Sequence, residues 1–187
     1  ELEEALEYAF TFGPKVLVER AIMQLREINC AVLGDYEQAA ASECEEPISS
    51  DEILSYEDKY VAGSKSGSEG MRTAKRELPA NLTPERREEI RQMAVKTFQV
   101  LGCSGVSRID FMIDKETDKV YVNEINPIPG SLAFYLWEPL GKPYAQLLDD
   151  VVKLALKRER EEKSMMTSFD SNILQNANLS GAKGVKK

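Results

Sequence analysis

Four side chains suited to metal and phosphate chemistry fall within residues 108–126: Arg108, Asp110, Glu124 and Asn126. The run from Arg108 to Asp114 alternates apolar and polar residues. Ile109, Phe111 and Ile113 therefore share one face of a strand, and Arg108, Asp110 and Met112 share the other. Glu124 and Asn126 are two residues apart and also share a face. The polar stretch from Lys115 to Asp118 has the length of a hairpin loop. With Asp114 paired near Lys119, Asp110 falls across from Glu124 to within one residue. Asp110, Glu124 and Asn126 then converge, with Arg108 beside them. Two carboxylates and an amide are hard oxygen donors of the kind that hold Mg²⁺. The competing reading is a solvated surface hairpin. Against it, Pro127 and Pro129 stop the second strand abruptly, and Asn126 adds no charge for solubility.

Several other elements must position this hairpin. Thr83-Pro84-Glu85 opens a helix with an N-cap, a proline at the first helical position and an acid in the first turn. Ile90, Met93, Ala94, Thr97, Phe98 and Leu101 form its apolar stripe, and Gly102 ends it. A helix is expected over Glu1–Phe12, stopped by Gly13-Pro14, and a short strand over Lys15–Glu19. Glu27–Gly34 is apolar without clean alternation, which suits a buried strand. Gln38–Ser42 reads as a further short strand. Ser131–Lys142 is aromatic-rich with a short helix. Pro143 precedes a last helix, with Leu147, Leu148, Val151, Val152, Leu154, Ala155 and Leu156 expected to face the core. Residues 48–82 read as a long loop rich in glycine and serine, without the Gly-x-x-x-x-Gly-Lys pattern of a P-loop. Residues 164–187 read as a mobile tail in which Phe169 and Ile173-Leu174 could dock on the domain.

Bulk composition narrows the chemistry. The 187 residues are 42% hydrophobic, enough for a packed core. A net charge of −8 disfavours nucleic acid as the main partner. Histidine is absent. That excludes Ser-His-Asp and Cys-His catalysis and imidazole-bound zinc. Cys30, Cys44 and Cys103 lack C-x-x-C spacing, so reduced thiols in a cytoplasmic protein are the simplest expectation. Cys103 is assigned to packing. No apolar run approaches the length of a membrane span, and no internal repeat is evident. Because the chain begins at Glu1 within helical sequence, it is expected to be a piece of a longer protein.

Taken together, the first helix, Val16-Leu17-Val18-Glu19, residues 26–34, Tyr56-Glu57-Asp58-Lys59-Tyr60, residues 101–111 and Asn123-Glu124-Ile125-Asn126-Pro127-Ile128-Pro129-Gly130 resemble the ATP-binding half of D-alanine–D-alanine ligase, a family of the ATP-grasp superfamily. The resemblance covers roughly residues 1–160. It implies an α+β, ATP-grasp-type fold, a mainly antiparallel sheet packed with helices in two partial subdomains. The corresponding division is 1–47 for part of the small, adenine-side subdomain, 48–82 for an active-site loop, 83–163 for the large subdomain with the metal site, and 164–187 for the tail. It also implies ATP and Mg²⁺ (or Mn²⁺) as cofactors. Chemistry would proceed by phosphorylating one carboxylate and letting a second amino acid's amine attack the acyl phosphate. D-alanine is the implied substrate and cell-wall peptidoglycan the destination.

Residue by residue, Asp110, Glu124 and Asn126 would hold the metal. Arg108 would stabilise the transferring phosphoryl group with its fixed charge and planar fork. Lys59 resembles the lysine that reaches the γ-phosphate, in a loop shared with Tyr56 and Tyr60. Glu19 would accept from the adenine amino group, the backbone of Arg20 and Ile22 would make the other adenine contacts, and Glu27 would accept from ribose. Gly130, Ser131 and Tyr135 would face the second substrate. The resemblance further implies an absent amino-terminal domain, compatibility with a homodimer of the full-length enzyme, and an inactive isolated fragment. The chain departs from the family pattern at Ser131–Trp137, where an aromatic, apolar segment replaces one rich in Thr and Ser. Two alternatives follow: an ATP-grasp ligase with a different second substrate, or a non-catalytic nucleotide-binding or interaction module.

Overall fold

The computed structural model describes residues 1–48 and 76–166. Five strands form one antiparallel sheet in the order β3-β2-β1-β4-β5. They are β1 (Leu25–Gly34), β2 (Ala39–Pro47), β3 (Arg76–Glu77), β4 (Gly105–Asp114) and β5 (Lys119–Asn126). Helix α1 spans Leu2–Phe10, α2 Pro84–Val100 and α3 Tyr144–Ser164. Two 3-10 turns, Gly130–Leu136 and Glu138–Leu140, lie between β5 and α3.

The centre of the sheet is the pairing of β1 with β4, ten residues long, from Leu25 opposite Asp114 to Gly34 opposite Gly105. Alternation along both strands divides the sheet into two faces. Ile28, Cys30 and Val32 of β1 and Ile109, Phe111 and Ile113 of β4 pack with Ile90, Ala94 and Phe98 of α2. Ala31, Leu33 and Val106 point the other way, against Ala133, Leu136, Trp137 and Leu147. Cover on both faces explains why β1 reads as an apolar run without alternation.

The other half of that second face is polar. Asn29, Arg108 and Asp110 continue it beyond Ala31, because residues two apart on a strand share a face. The second face is thus apolar at one end and polar at the other.

Local chemistry fixes these elements. The Thr83 hydroxyl accepts from the Arg86 N–H at 3.2 Å, capping α2. Arg91 on α2 donates through Nε and Nη2 to the Ser42 and Ala41 carbonyls, both at 3.1 Å, tying helix to sheet. The β1–β2 register shifts between Cys30 and Val32. The Ala31 N–H freed there donates to the Ser42 hydroxyl at 2.8 Å, so the irregularity leaves that buried donor satisfied.

Several expectations change. No strand forms at 15–19; Leu17 and Val18 are exposed, and a β-branched run without a neighbouring edge has no ladder to join. β2 runs to Pro47, well past Ser42. Residues 76–77, expected within the loop, pair with β2. Residues 25–47, expected with the adenine-side subdomain, form β1 and β2 of the sheet that carries the hairpin. Leu101 is exposed rather than part of the α2 stripe. On α3 only Leu147 is buried. Val151 and Leu154 pack partly beside it, while Leu148, Val152 and Leu156 face outward. A single helix presents about 100° of its surface to one core, and seven apolar positions exceed that arc. No described helix is long and apolar enough to cross a membrane. The expected docking of Phe169 and Ile173-Leu174 lies outside the described residues.

Candidate active site

The polar half of this face carries a row across four strands. Glu45 pairs with Asn29, Asn29 with Asp110, and Asp110 with Glu124. Beside it, Ala31 pairs with Arg108 and Arg108 with Asn126. The convergence of Arg108, Asp110, Glu124 and Asn126 read from the sequence is therefore present in the sheet register.

A bulge decides the register. Asp114 pairs with Lys119, and plain antiparallel counting from there would set Asn123 across from Asp110. The register shifts between Asp110 and Phe111, so Phe111 faces Val122 and Asp110 faces Glu124. Without that extra residue Glu124 would change faces relative to Asp110.

Asp110 is only 4% exposed and holds Arg108 in a two-pronged pair, Nε to Oδ1 at 2.7 Å and Nη2 to Oδ2 at 2.8 Å. Asn126 Nδ2 donates to the same Oδ2 at 3.3 Å. Burial opposes the Arg108 charge, but the hydrogen bonds and charge of Asp110 outweigh it and hold the guanidinium above its ordinary pKa. Glu124 is exposed. Among the described residues no group of three or more His, Cys, Asp or Glu is arranged to hold a metal; the expected set has two carboxylates and an amide.

Glu27 is half-buried on the same face as Asn29, two residues before it and opposite Met112. Glu19 and Arg20 are exposed, and Ile22 is half-buried, in the irregular segment leading to β1. The Lys115 N–H donates to the Gln24 carbonyl at 2.9 Å, which places the end of that segment near the loop end of the hairpin. Lys59, Tyr56 and Tyr60 lie outside the described residues.

Beyond Gly130 the backbone turns left-handed. Ser131, Leu132 and Ala133 have φ of 49°, 56° and 50°. None is glycine, and such a conformation costs about 1–2 kcal/mol for each residue. The Leu132 N–H closes the turn onto the Pro129 carbonyl at 2.9 Å. Ser131 is exposed at its tip. The Tyr135 hydroxyl donates to Glu45 Oε1 at 2.7 Å. Burial first, then the charge and hydrogen bond of Glu45, raise the Tyr135 pKa. Glu45 and Asn29 are the residues that sequence reasoning missed. Glu45 lies in the run Glu43-Cys44-Glu45-Glu46, where nothing in the residue types distinguishes a buried acid from a solvated one.

An antiparallel sheet covered by helices, with acid, amide and arginine residues at one end of a hairpin, is the ATP-grasp type of fold. The chain belongs to the family described as D-ala D-ala ligase C-terminus, whose model matches residues 1–153. It is 39% identical over 173 residues to the D-alanine–D-alanine ligase of Thermosipho africanus, covering 92% of this chain and 45% of that protein. It is 43% identical over 165 residues to the ligase of the same name from Clostridium novyi, covering 86% and 45%. The chain therefore spans less than half the length of these relatives. Among solved structures, the D-alanine–D-alanine ligase from Coxiella burnetii matches with a TM-score of 0.67 at 30% identity, over 87% of this chain and 40% of that one. The VanG D-Ala:D-Ser ligase from Enterococcus faecalis matches at 0.65 and 30%, over 82% and 43%. The ligase from Bacillus anthracis complexed with ATP matches at 0.63 and 23%, over 86% and 48%, and shows the shared fold.

Proposed function

We propose that this chain is the ATP-binding catalytic region of an ATP-dependent carboxylate–amine ligase that joins two D-alanine molecules for peptidoglycan synthesis. The observation that carries this is the register of the hairpin, with Asp110 across from Glu124 and Arg108 across from Asn126, in a chain of the D-Ala-D-Ala ligase family. The donor set fits Mg²⁺ or Mn²⁺. All its donors are oxygens, and Asn126 turns its amide nitrogen to Asp110, which leaves its carbonyl oxygen as a ligand. Asp110, Glu124 and Asn126 would hold the ion, which when bound offsets phosphate charge.

The chain's own groups do the rest. Arg108 keeps its proton, and with Nε and Nη2 on Asp110 its Nη1 is left to donate to the transferring phosphoryl group. Glu27 accepts from the ribose hydroxyls, on the strand next to the hairpin. Glu19 takes the adenine amino group and the backbone of Arg20 and Ile22 the ring. Lys59 reaches the γ-phosphate, with Tyr60 and Tyr56 in the same loop. Gly130 and Ser131 face the second amino acid. The enzyme's substrate domain would lie in sequence amino-terminal to this chain, in keeping with its coverage of the relatives. ATP as co-substrate suits a cytoplasmic setting, and a homodimer of the full-length enzyme is part of the same proposal.

Phosphate release by the full-length protein with ATP and Mg²⁺, across D- and L-amino acids, tests the function. D-alanine should give the fastest release, with D-alanyl-D-alanine as product; ATP turnover indifferent to every amino acid would refute it. A second outcome has its own support in the match to a D-Ala:D-Ser ligase at 30% identity, the same identity as to the Coxiella burnetii ligase. Mixed-substrate release with D-serine exceeding that with D-alanine would select a ligase of different second substrate. In the same assay Glu27→Ala should raise the KM for ATP about tenfold, the worth of a hydrogen bond to a charged group. Its kcat should stay within about threefold. An unchanged KM would remove Glu27 from the ribose site.

A further inference from the structure

Glu45 is a buried carboxylate, 4% exposed, on the same face as the metal-type row but on the far side of Asn29. Three groups converge on it. Tyr135 donates its hydroxyl to Oε1 at 2.7 Å, Asn29 donates Nδ2 to the same oxygen at 3.1 Å, and Arg76 Nη1 stands 3.6 Å from Oε2. The Arg76 guanidinium also sits over the Tyr135 ring, 4.2 Å from its centroid. Such a carboxylate is matched in charge and in hydrogen bonds, which is the condition for keeping it buried.

Tyr135 comes two residues after the left-handed turn at Ser131–Ala133. A run of strained non-glycine residues persists only where its surroundings hold it. Ala133, Leu136 and Trp137 anchor one side in the apolar core. On the polar side the Tyr135 hydroxyl ties this segment to Glu45. Asn29, which donates to the same Glu45 oxygen, is the register neighbour of Asp110 on β4. The segment after Gly130 is therefore tied through one buried acid to Asn29 of β1, the strand that pairs with Arg108 and Asp110 of β4.

We propose that Glu45, acting through Tyr135, is a positioning residue that holds the left-handed turn and so sets the mouth of the second amino-acid site at Ser131. This rests on the ligase function proposed above. Neither Glu45 nor the Tyr135 hydroxyl touches the substrate; the bond between them fixes the backbone that does.

The test uses the full-length enzyme with Tyr135→Phe, which removes the donor and keeps the ring, and Glu45→Gln, which keeps an acceptor oxygen. Two readouts are taken. Amide hydrogen exchange of residues 131–135, measured without substrates, should speed about tenfold in Tyr135→Phe and stay near wild type in Glu45→Gln. The KM for the second amino acid should rise about tenfold in Tyr135→Phe, with kcat and the KM for ATP within about twofold, whereas in Glu45→Gln, where Tyr135 keeps an acceptor, that KM should stay within about threefold of wild type. A merely structural bond would lower activity without this split. Unchanged exchange in Tyr135→Phe overturns the latch whatever the enzyme's substrates are. Faster exchange with an unchanged KM for the second amino acid overturns the positioning role. Absence of amide formation by the unsubstituted enzyme counts instead against the ligase function, and the exchange readout still decides the latch.

Discussion

Glu124→Gln should cut Mg²⁺-dependent ATP turnover of the full-length enzyme by about a hundred- to a thousandfold, the usual loss when one group facing developing charge is removed. The size follows from position. Glu124 stands across from Asp110 and is the exposed carboxylate of the pair, whereas both oxygens of Asp110 already accept from Arg108. An incoming cation therefore finds its uncommitted negative charge on Glu124. The amide of glutamine keeps shape and polarity but removes that charge. The same exposure makes this a clean test. Glu124 lies at an open end of the sheet, so the melting temperature should move by less than about 2 °C. Isothermal titration with Mn²⁺ and nucleotide should show weakened metal binding alongside the lost turnover. Full turnover in a folded Glu124→Gln enzyme would take the metal assignment down with it.

Substitutions at Arg108 should behave differently, because there function and stability are joined. Arg108→Ala leaves Asp110, 4% exposed, with the 3.3 Å contact from Asn126 as its remaining side-chain partner. Removing one member of a buried ion pair costs about 3–5 kcal/mol, chiefly for the charge left behind. Turnover should fall about a hundredfold or more as well. Arg108→Lys separates the two effects. A lysine keeps the charge, so much of the stability should return in a urea melt. It cannot reproduce the two parallel bonds from Nε and Nη2 and still present a third donor, so turnover should stay at least about tenfold low. Should Arg108→Lys recover turnover together with stability, Arg108 would be a structural partner of Asp110 and not a hydrogen-bond donor to the phosphoryl group.

How much of this was legible beforehand differs from element to element. The N-cap at Thr83 and the stripe Ile90-Ala94-Phe98 appear as read, because capping and helical spacing are local. The alternation of β4 is equally local, and Ile109, Phe111 and Ile113 are in the core as expected. Lys15–Glu19 failed as a strand because a strand needs a neighbour. α3 exposes Leu148, Val152 and Leu156 because the width of the surface it covers is set by what it packs against. Tyr135 was read as part of an aromatic, apolar segment facing the second substrate; what its hydroxyl meets depends on β2, ninety residues earlier in the chain.

By itself, the sequence determined the family, the two strands of the hairpin and the residue types able to meet a cation and a phosphate. These are properties of side chains and short-range periodicity. It stopped one residue short of the site. Counting back from the hairpin loop gives Asn123 or Glu124 opposite Asp110, and a slip of one reverses the face. The bulge between Asp110 and Phe111 settled that, and a bulge is a compromise between strands, loop and core that no single stretch encodes. Tertiary structure also decided the burial of Glu45 and the left-handed turn it faces through Tyr135. A buried charge and a strained backbone are locally unfavourable, so only partners brought from distant parts of the chain make them stable.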